Sequence, residues 1–330
     1  MTVEIKPMSI GGIFDRTFKL IGKTMTRNLI IASVLLLPVS IIFAYGLQQF
    51  FAALAMVIRD SSYENIQSIR DLSPLFSAIA IFSVALLLFS LLELLAKIAA
   101  MHVAGCELHV QPISWSDAIR IAFKNKLLTA LGQAILQGIA IGALFLIPYI
   151  LLIACIVAKS IPLMLVCILI FFAGVAAAIY FTISWLFTLP VIAVEDVGVI
   201  ESFRRSRSLV RSHWWRTLGI YLLLSIVASL AISMITTPIT FIAMWGFISK
   251  YISFFVSYSS HHQNPEYIFE LLSTIGWIEG IVIAISAILE LVVTPIIFVV
   301  MYFDLRARKG EFGPVEQGPE VPYNLVPPAL

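Results

Sequence analysis

Long apolar runs alternate with short charged segments along the chain. Six runs stand out, at approximately Leu29–Ile58, Pro74–Met101, Leu127–Ala158, Ile161–Pro190, Leu218–Phe247 and Leu271–Met301. Each exceeds the ~20 residues needed to cross a hydrocarbon core, and at such lengths only a helix satisfies its own backbone groups in lipid. The pattern predicts an all-α integral membrane protein with six transmembrane helices. A helix of about 30 residues is about 45 Å long against a core of about 30 Å, so the spans must tilt, kink or project beyond the bilayer. Residues 127–190 are almost unbroken apolar sequence. The interruption Lys159-Ser160-Ile161-Pro162 divides them into two spans, because Lys prefers the interface and Pro suits a first helical turn.

Three of the charged segments carry a helical period. In the first, Phe14, Phe18, Ile21 and Met25 form one stripe, opposed by Asp15, Arg16, Lys19, Lys23 and Arg27. In the second, Ser116 is the expected N-cap, and Ile119, Ala122 and Phe123 oppose Asp117, Arg120 and Lys124. In the third, Phe203, Val210 and Trp214 align beside a ridge of Arg204, Arg207 and Arg211. Such segments predict amphipathic helices lying in the membrane interface. An acid (Asp15, Asp117, Glu201) leads each run of bases, and two spans follow each. This spacing reads as a threefold internal repeat, with units at about 9–101, 112–190 and 197–301 of a single polytopic domain, residues 1–312. Residues 313–330 are rich in proline and are expected to form a disordered cytoplasmic tail.

Composition agrees with lipid as the solvent. Sixty per cent of the chain is hydrophobic and 12% charged, about half the charge of a soluble domain, and the mean hydropathy is +1.01. Soluble enzymes, nucleic-acid binders and secreted disulfide modules are excluded as readings of the whole chain. Of the three cysteines, Cys106, Cys155 and Cys167, the last two lie inside apolar runs and read as small hydrophobic packers, and no disulfide framework is implied. The first 28 residues are amphipathic and charged, unlike a cleavable signal peptide.

Net charge is only +2, but its distribution orients the chain. With six spans, sixteen Lys and Arg fall on one side: Lys6, Arg16, Lys19, Lys23, Arg27, Arg120, Lys124, Lys126, Arg204, Arg205, Arg207, Arg211, Arg216, Arg306, Arg308 and Lys309. Four fall on the other: Arg59, Arg70, Lys159 and Lys250. The positive-inside rule then places both termini in the cytoplasm, with the protein in the cell (inner) membrane.

Candidate chemistry sits in three places. Glu93 and Lys97 lie four apart on the second span and Glu290 lies deep in the sixth. They read either as a proton or substrate relay or as locally satisfied structural groups. Pro38, Pro148, Pro238 and Pro295 fall inside spans, where they can kink helices or open a mid-membrane site. The densest signal is the run of five arginines in Glu201–Arg216, with Trp214 and Trp215 beside a span. Guanidinium forks bind phosphate bidentately and juxtamembrane clusters attract anionic headgroups, although such charge also sets topology. In the outer loop His261, His262 and Glu266 give only weak metal-ligand spacing, and no metal or other cofactor is expected.

The segment from Pro190 through Trp215 and the exit of the last span resemble the membrane domain attached to some bacterial glycerophosphoryl diester phosphodiesterases and related stand-alone membrane proteins. The matching positions are Pro190, Glu195, Ser206, Leu209, Val210, Trp214, Trp215, Tyr302, Asp304, Arg306 and Arg308. The likeness extends over residues 9–312. It implies a six-span membrane domain, whereas the family's catalytic part is a separate soluble barrel of about 250 residues with no counterpart in this sequence. The expected function is therefore non-catalytic: a module that engages anionic membrane lipid, anchors a protein partner or forms a homo-oligomer. Arg204, Arg207, Arg211, Trp214 and Trp215 would bind the headgroup, and Asp304 with Arg306 would lock the end of the last span. The alternative is a secondary transporter or lipid translocator using Glu93 and Glu290. No nucleophile–base pattern suggests an intramembrane enzyme.

Overall fold

The computed structural model describes residues 6–62, 72–157, 161–258 and 266–312. Its regular structure there is helical throughout: α1 Ile10–Ser62, α2 Ser73–Leu108, α3 Trp115–Ile121, α4 Leu127–Val157, α5 Ile161–Ser184, α6 Thr188–Val194, α7 Val199–Val210, α8 Trp214–Tyr258 and α9 Glu266–Arg308. Six helical stretches among the described residues are long and apolar enough to cross a membrane. At 53 residues, α1 is about 80 Å long and outruns any bilayer core. Pro38, Pro148, Pro238 and Pro295 all sit inside continuous helices.

Local sequence explains the starts and breaks, and corrects three expectations. The first charged segment is not a separate helix. Ser9 caps α1, accepting the Gly12 N–H at 3.1 Å, and nothing between Arg27 and Leu29 breaks the backbone, so the segment continues into the first span. The cap of α3 is Ser114, not Ser116. Its extended backbone lets Oγ accept the Asp117 N–H at 3.1 Å while donating to the Asp117 carboxylate at 2.6 Å. The fourth span does not run unbroken to Pro190: the chain turns at Trp185–Phe187 and restarts as α6. A π-helical turn, Ala122–Lys126, joins α3 to α4, and a 3-10 turn, Arg211–His213, joins α7 to α8. Lys159, His261, His262 and the tail 313–330 lie outside the described residues.

The chain forms two compact units. Among the described residues the first holds 6–27, 97–157, 161–225 and 294–312, and the second holds 28–62, 72–96, 226–258 and 266–293, so the units do not follow the repeat boundaries. In the first unit, small residues line the end of α2 (Ala99, Ala100, Ala104, Gly105), and Gly105 lets Val194 of α6 approach closely. Here Thr17 and Thr24 join Ile13 and Leu20 on the buried face of α1, while Phe18 and Met25 face outward.

The second unit packs Val39, Phe43 and Phe89 into an apolar cluster with Leu47, Phe82, Leu92 and Ala287 around it. There α1 and α9 meet through glycine. A Cβ on Gly280 would stand 2.4 Å from the Ala44 Cβ, and one on Gly276 would stand 2.4 Å from the Gln48 Cα. Between membrane helices this closeness is itself the driving force, since lipid tails are as apolar as Leu. Gly280→Ala is therefore expected to cost about 1–3 kcal/mol, from forced separation of packed backbones. Thermal unfolding in detergent checks it against Gly138→Ala, where an added Cβ meets nothing within 4 Å. Equal loss for both variants would remove the packing explanation.

Candidate functional site

The charged residues of the first unit build a site from α6 upward. Where α5 ends, the Ser184 carbonyl and the Phe187 N–H are left without helical partners. Ser206 of α7 serves both: its hydroxyl donates to the Ser184 carbonyl at 2.9 Å and accepts the Phe187 N–H at 3.1 Å. Ser206, Leu209 and Val210 are fully buried, which explains the inner face of the arginine-rich segment. Trp185 packs edge-on against Phe203 at 5.1 Å, and Trp214 stacks on Tyr180 at 5.9 Å.

Two carboxylate centres then divide the five arginines. Glu195 closes α6, and its Oε1 accepts from Arg205 Nη2 at 3.2 Å and from the Tyr302 hydroxyl, with Arg306 at 3.7 Å. Gly310, at φ 72°, reverses the chain after α9, so that the Glu311 N–H returns to the Arg306 carbonyl. This turn brings the Glu311 carboxylate to Arg205 at 2.5 Å and to Arg306 Nε at 2.7 Å. The result is an alternating ring of two carboxylates and two guanidiniums. The Arg306 guanidinium also lies over the Phe312 ring at 4.9 Å. Lys126, in the π-helical turn, pairs with Asp196 and donates to the Glu195 carbonyl at 3.0 Å.

The second centre is Asp304, 1% exposed. Its Oδ2 accepts from Arg216 at 2.6 Å and Arg308 at 3.0 Å, and its Oδ1 accepts the Met8 N–H at 2.7 Å. Both arginines also donate to the Met8 carbonyl, at 3.0 and 2.6 Å. The N-terminal stretch ahead of α1 is thus fastened to the start of α8 and the end of α9. Asp304 and Arg306, the residues expected to lock the end of the last span, do so through different partners: Asp304 through Arg216 and Arg308, Arg306 through Glu195 and Glu311. A third tie joins Arg27 to Glu107 at 2.6 Å.

The remaining arginines point outward, and they do not share one pocket. Arg204 and Arg207 rim an open groove of about 360 Å³ whose walls are Leu136, Ala140, Trp185, Ile200 and Phe203. Arg211 lies in a second open groove, of about 610 Å³, with Tyr180, His213, Trp214 and Trp215. Arg204 sits 3.9 Å from Glu201 on the exposed surface, whereas Arg207 and Arg211 have no ion pair among the described residues. Trp214 is half-buried and Trp215 is exposed.

Of the intramembrane charges, Glu93 and Glu290 are half-buried in the second unit, and Lys97 is half-buried in the first. The described grooves are lined by first-unit residues, so they bring in none of the three. Sequence reading missed Arg205, Arg216, Lys126 and Glu311, although Gly310 after a basic last turn was a visible C-cap signal. It also missed Cys106, whose Sγ lies 3.8 Å from His102 Nε2. Both are buried, with His102 Nδ1 at 3.0 Å from the Ala193 carbonyl. Among the described residues no group of three His, Cys, Asp or Glu has a metal-binding arrangement.

Two outcomes follow for these centres. Asp304→Asn strips the charge that holds two guanidiniums and is expected to cost about 3–5 kcal/mol, because it removes a fully buried carboxylate and leaves two half-buried cations without it. Asp15→Asn removes only an exposed pair with Lys19 and should stay within about 1 kcal/mol. Comparable losses in detergent unfolding would refute the distinction. Burial alone would raise the Glu311 pKa, but its bonds to Arg205 and Arg306 hold it below the ordinary value. Its contribution is therefore full above the ordinary glutamate range and is lost as pH falls through the depressed value. The stability difference between wild type and Glu311→Gln should shrink on that acid limb, and a difference that grows there would contradict the assignment. The same surroundings lower the pKa of His109, first by burial and then by the nearby Arg306 charge.

No curated protein and no solved structure matches the chain. Over residues 19–305 it matches the family described as a domain of unknown function (DUF7847). That match takes in both carboxylate centres except Glu311, Arg306, Arg308 and the Met8 peptide, together with both grooves. By this coverage the chain belongs to the DUF7847 family.

Proposed function

We propose that this protein is a non-catalytic membrane module that holds an anionic phospholipid headgroup at the cytoplasmic face of the inner membrane. The observation that carries the reading is the groove beside α7. Its walls are apolar and its rim carries two outward guanidiniums, Arg204 and Arg207. An acyl chain laid along Leu136, Ile200 and Phe203 would set its phosphate within reach of both forks. The inward carboxylate centres support it, because they fix α7 and α8 rigidly and leave the outward arginines to a ligand. Trp215, 79% exposed, suits the headgroup layer.

On this reading both termini are cytoplasmic, the first charged segment lies in the interface, and the three units are divergent copies of one design. The likeness to phosphodiesterase membrane domains fits a lipid-facing role without the barrel. The transporter reading, resting on Glu93 and Glu290, draws nothing from the described grooves.

Lipid retention tests the proposal. The full chain in nanodiscs of phosphatidylcholine doped with phosphatidylglycerol is expected to enrich the anionic lipid. At ~1 kcal/mol per arginine, Arg204→Gln with Arg207→Gln should reduce that enrichment about thirtyfold. Mass spectrometry of retained lipid reads the effect, and unchanged enrichment in a folded double variant would end the reading.

A further inference from the structure

The ridge of arginines feeds two grooves, and this division bears on which lipid fits. Arg211 donates its backbone N–H to the Arg207 carbonyl. The two residues are therefore one helical turn apart on the same face, about 5–6 Å between Cβ atoms. Yet Arg207 rims the groove walled by Leu136 and Ile200, while Arg211 belongs to the groove walled by Tyr180 and Trp214. Arg216, in the second groove, already spends its charge on Asp304. Two like charges one turn apart repel, and neither Arg207 nor Arg211 has a carboxylate partner among the described residues. The ridge therefore calls for two anionic groups set close together, each with its own apolar bed.

Resting on the lipid-engaging reading, we propose that the occupant is a bis-phosphatidyl lipid of the cardiolipin class: two phosphates bridged by one glycerol, with a pair of acyl chains on either side. One phosphate meets Arg204 and Arg207, and the other meets Arg211. One diacyl arm lies against Leu136, Ile200 and Phe203, and the other against Tyr180, Trp214 and Trp215. A lipid with a single phosphate fills one groove and leaves the neighbouring guanidinium uncompensated. A bridged pair fills both, and its second contact forms at the high effective concentration that the covalent link imposes. Trp214 and Trp215 meet edge to face at 4.8 Å and give the second bed a rigid aromatic wall.

The experiment compares two anionic lipids at equal phosphate. The full chain is placed in phosphatidylcholine nanodiscs doped with either phosphatidylglycerol or cardiolipin, and retained lipid is counted by native mass spectrometry. Cardiolipin should be retained about fivefold or more over phosphatidylglycerol per phosphate, one arginine's share at ~1 kcal/mol. Arg211→Gln should abolish the cardiolipin preference, bringing the two lipids to equal retention per phosphate. Arg204→Gln with Arg207→Gln should lower both. All three side chains are exposed, so the variants keep the fold, and circular dichroism verifies it. Equal retention per phosphate, or a preference untouched by Arg211→Gln, overturns the two-phosphate assignment and leaves the broader lipid reading standing. Phosphatidylglycerol retained no better than the neutral host overturns that broader reading as well.

Discussion

One buried and one half-buried carboxylate decide where the arginines of the first unit point, and the candidate site follows from that choice. Moving a carboxylate out of water is expensive unless charge-assisted donors surround it. Glu195 and Asp304 meet this condition by drawing in Arg205, Arg216, Arg306 and Arg308, supplemented by the Tyr302 hydroxyl and the Met8 N–H. Once these cations are committed, Arg204, Arg207 and Arg211 remain at the surface. The same segment thus supplies both the internal frame and the outward charge, separated by the helical period.

Lipid as solvent explains much of the rest. Many apolar side chains along the spans stay exposed, among them Leu87, Leu169, Phe172 and Met234. Burial of apolar surface cannot drive association between helices under those conditions. Close backbone approach takes its place, as at Gly276 and Gly280 against α1 and at Gly105 against Val194. Backbone polar groups must also be satisfied, which is why the break between α5 and α6 is served by one buried serine hydroxyl.

The joins between charged segments and spans differ because their local chemistry differs. The first has no breaker and continues as one helix. The second passes through a π-helical turn whose last residue, Lys126, is buried and reaches Asp196. The third tightens into a 3-10 turn and sets Trp214 on Tyr180 while Trp215 faces outward. Sequence similarity among the three segments therefore need not produce three similar corners.

Apolar run length, alternating charge and the 3.6-residue period were enough to read an all-helical, six-span protein and to place Arg204, Arg207 and Arg211 on one face of α7. These are properties of a helix and its solvent, so they are written locally. Partner choice is not local. Arg205 meets Glu311 across 106 residues, and Tyr302 meets Glu195 across 107. Local spacing had suggested that Asp304 and Arg306 lock the end of the last span, and that three arginines form one clamp. Tertiary packing gave Asp304 to Arg216 and Arg308, and it placed the outward arginines in two grooves. It did so because α4, α5 and the α5–α6 turn bring Leu136, Tyr180 and Trp185 to different sides of the ridge. Which walls flank a charge depends on which helices pack beside it, and a single strip of sequence cannot encode that alone.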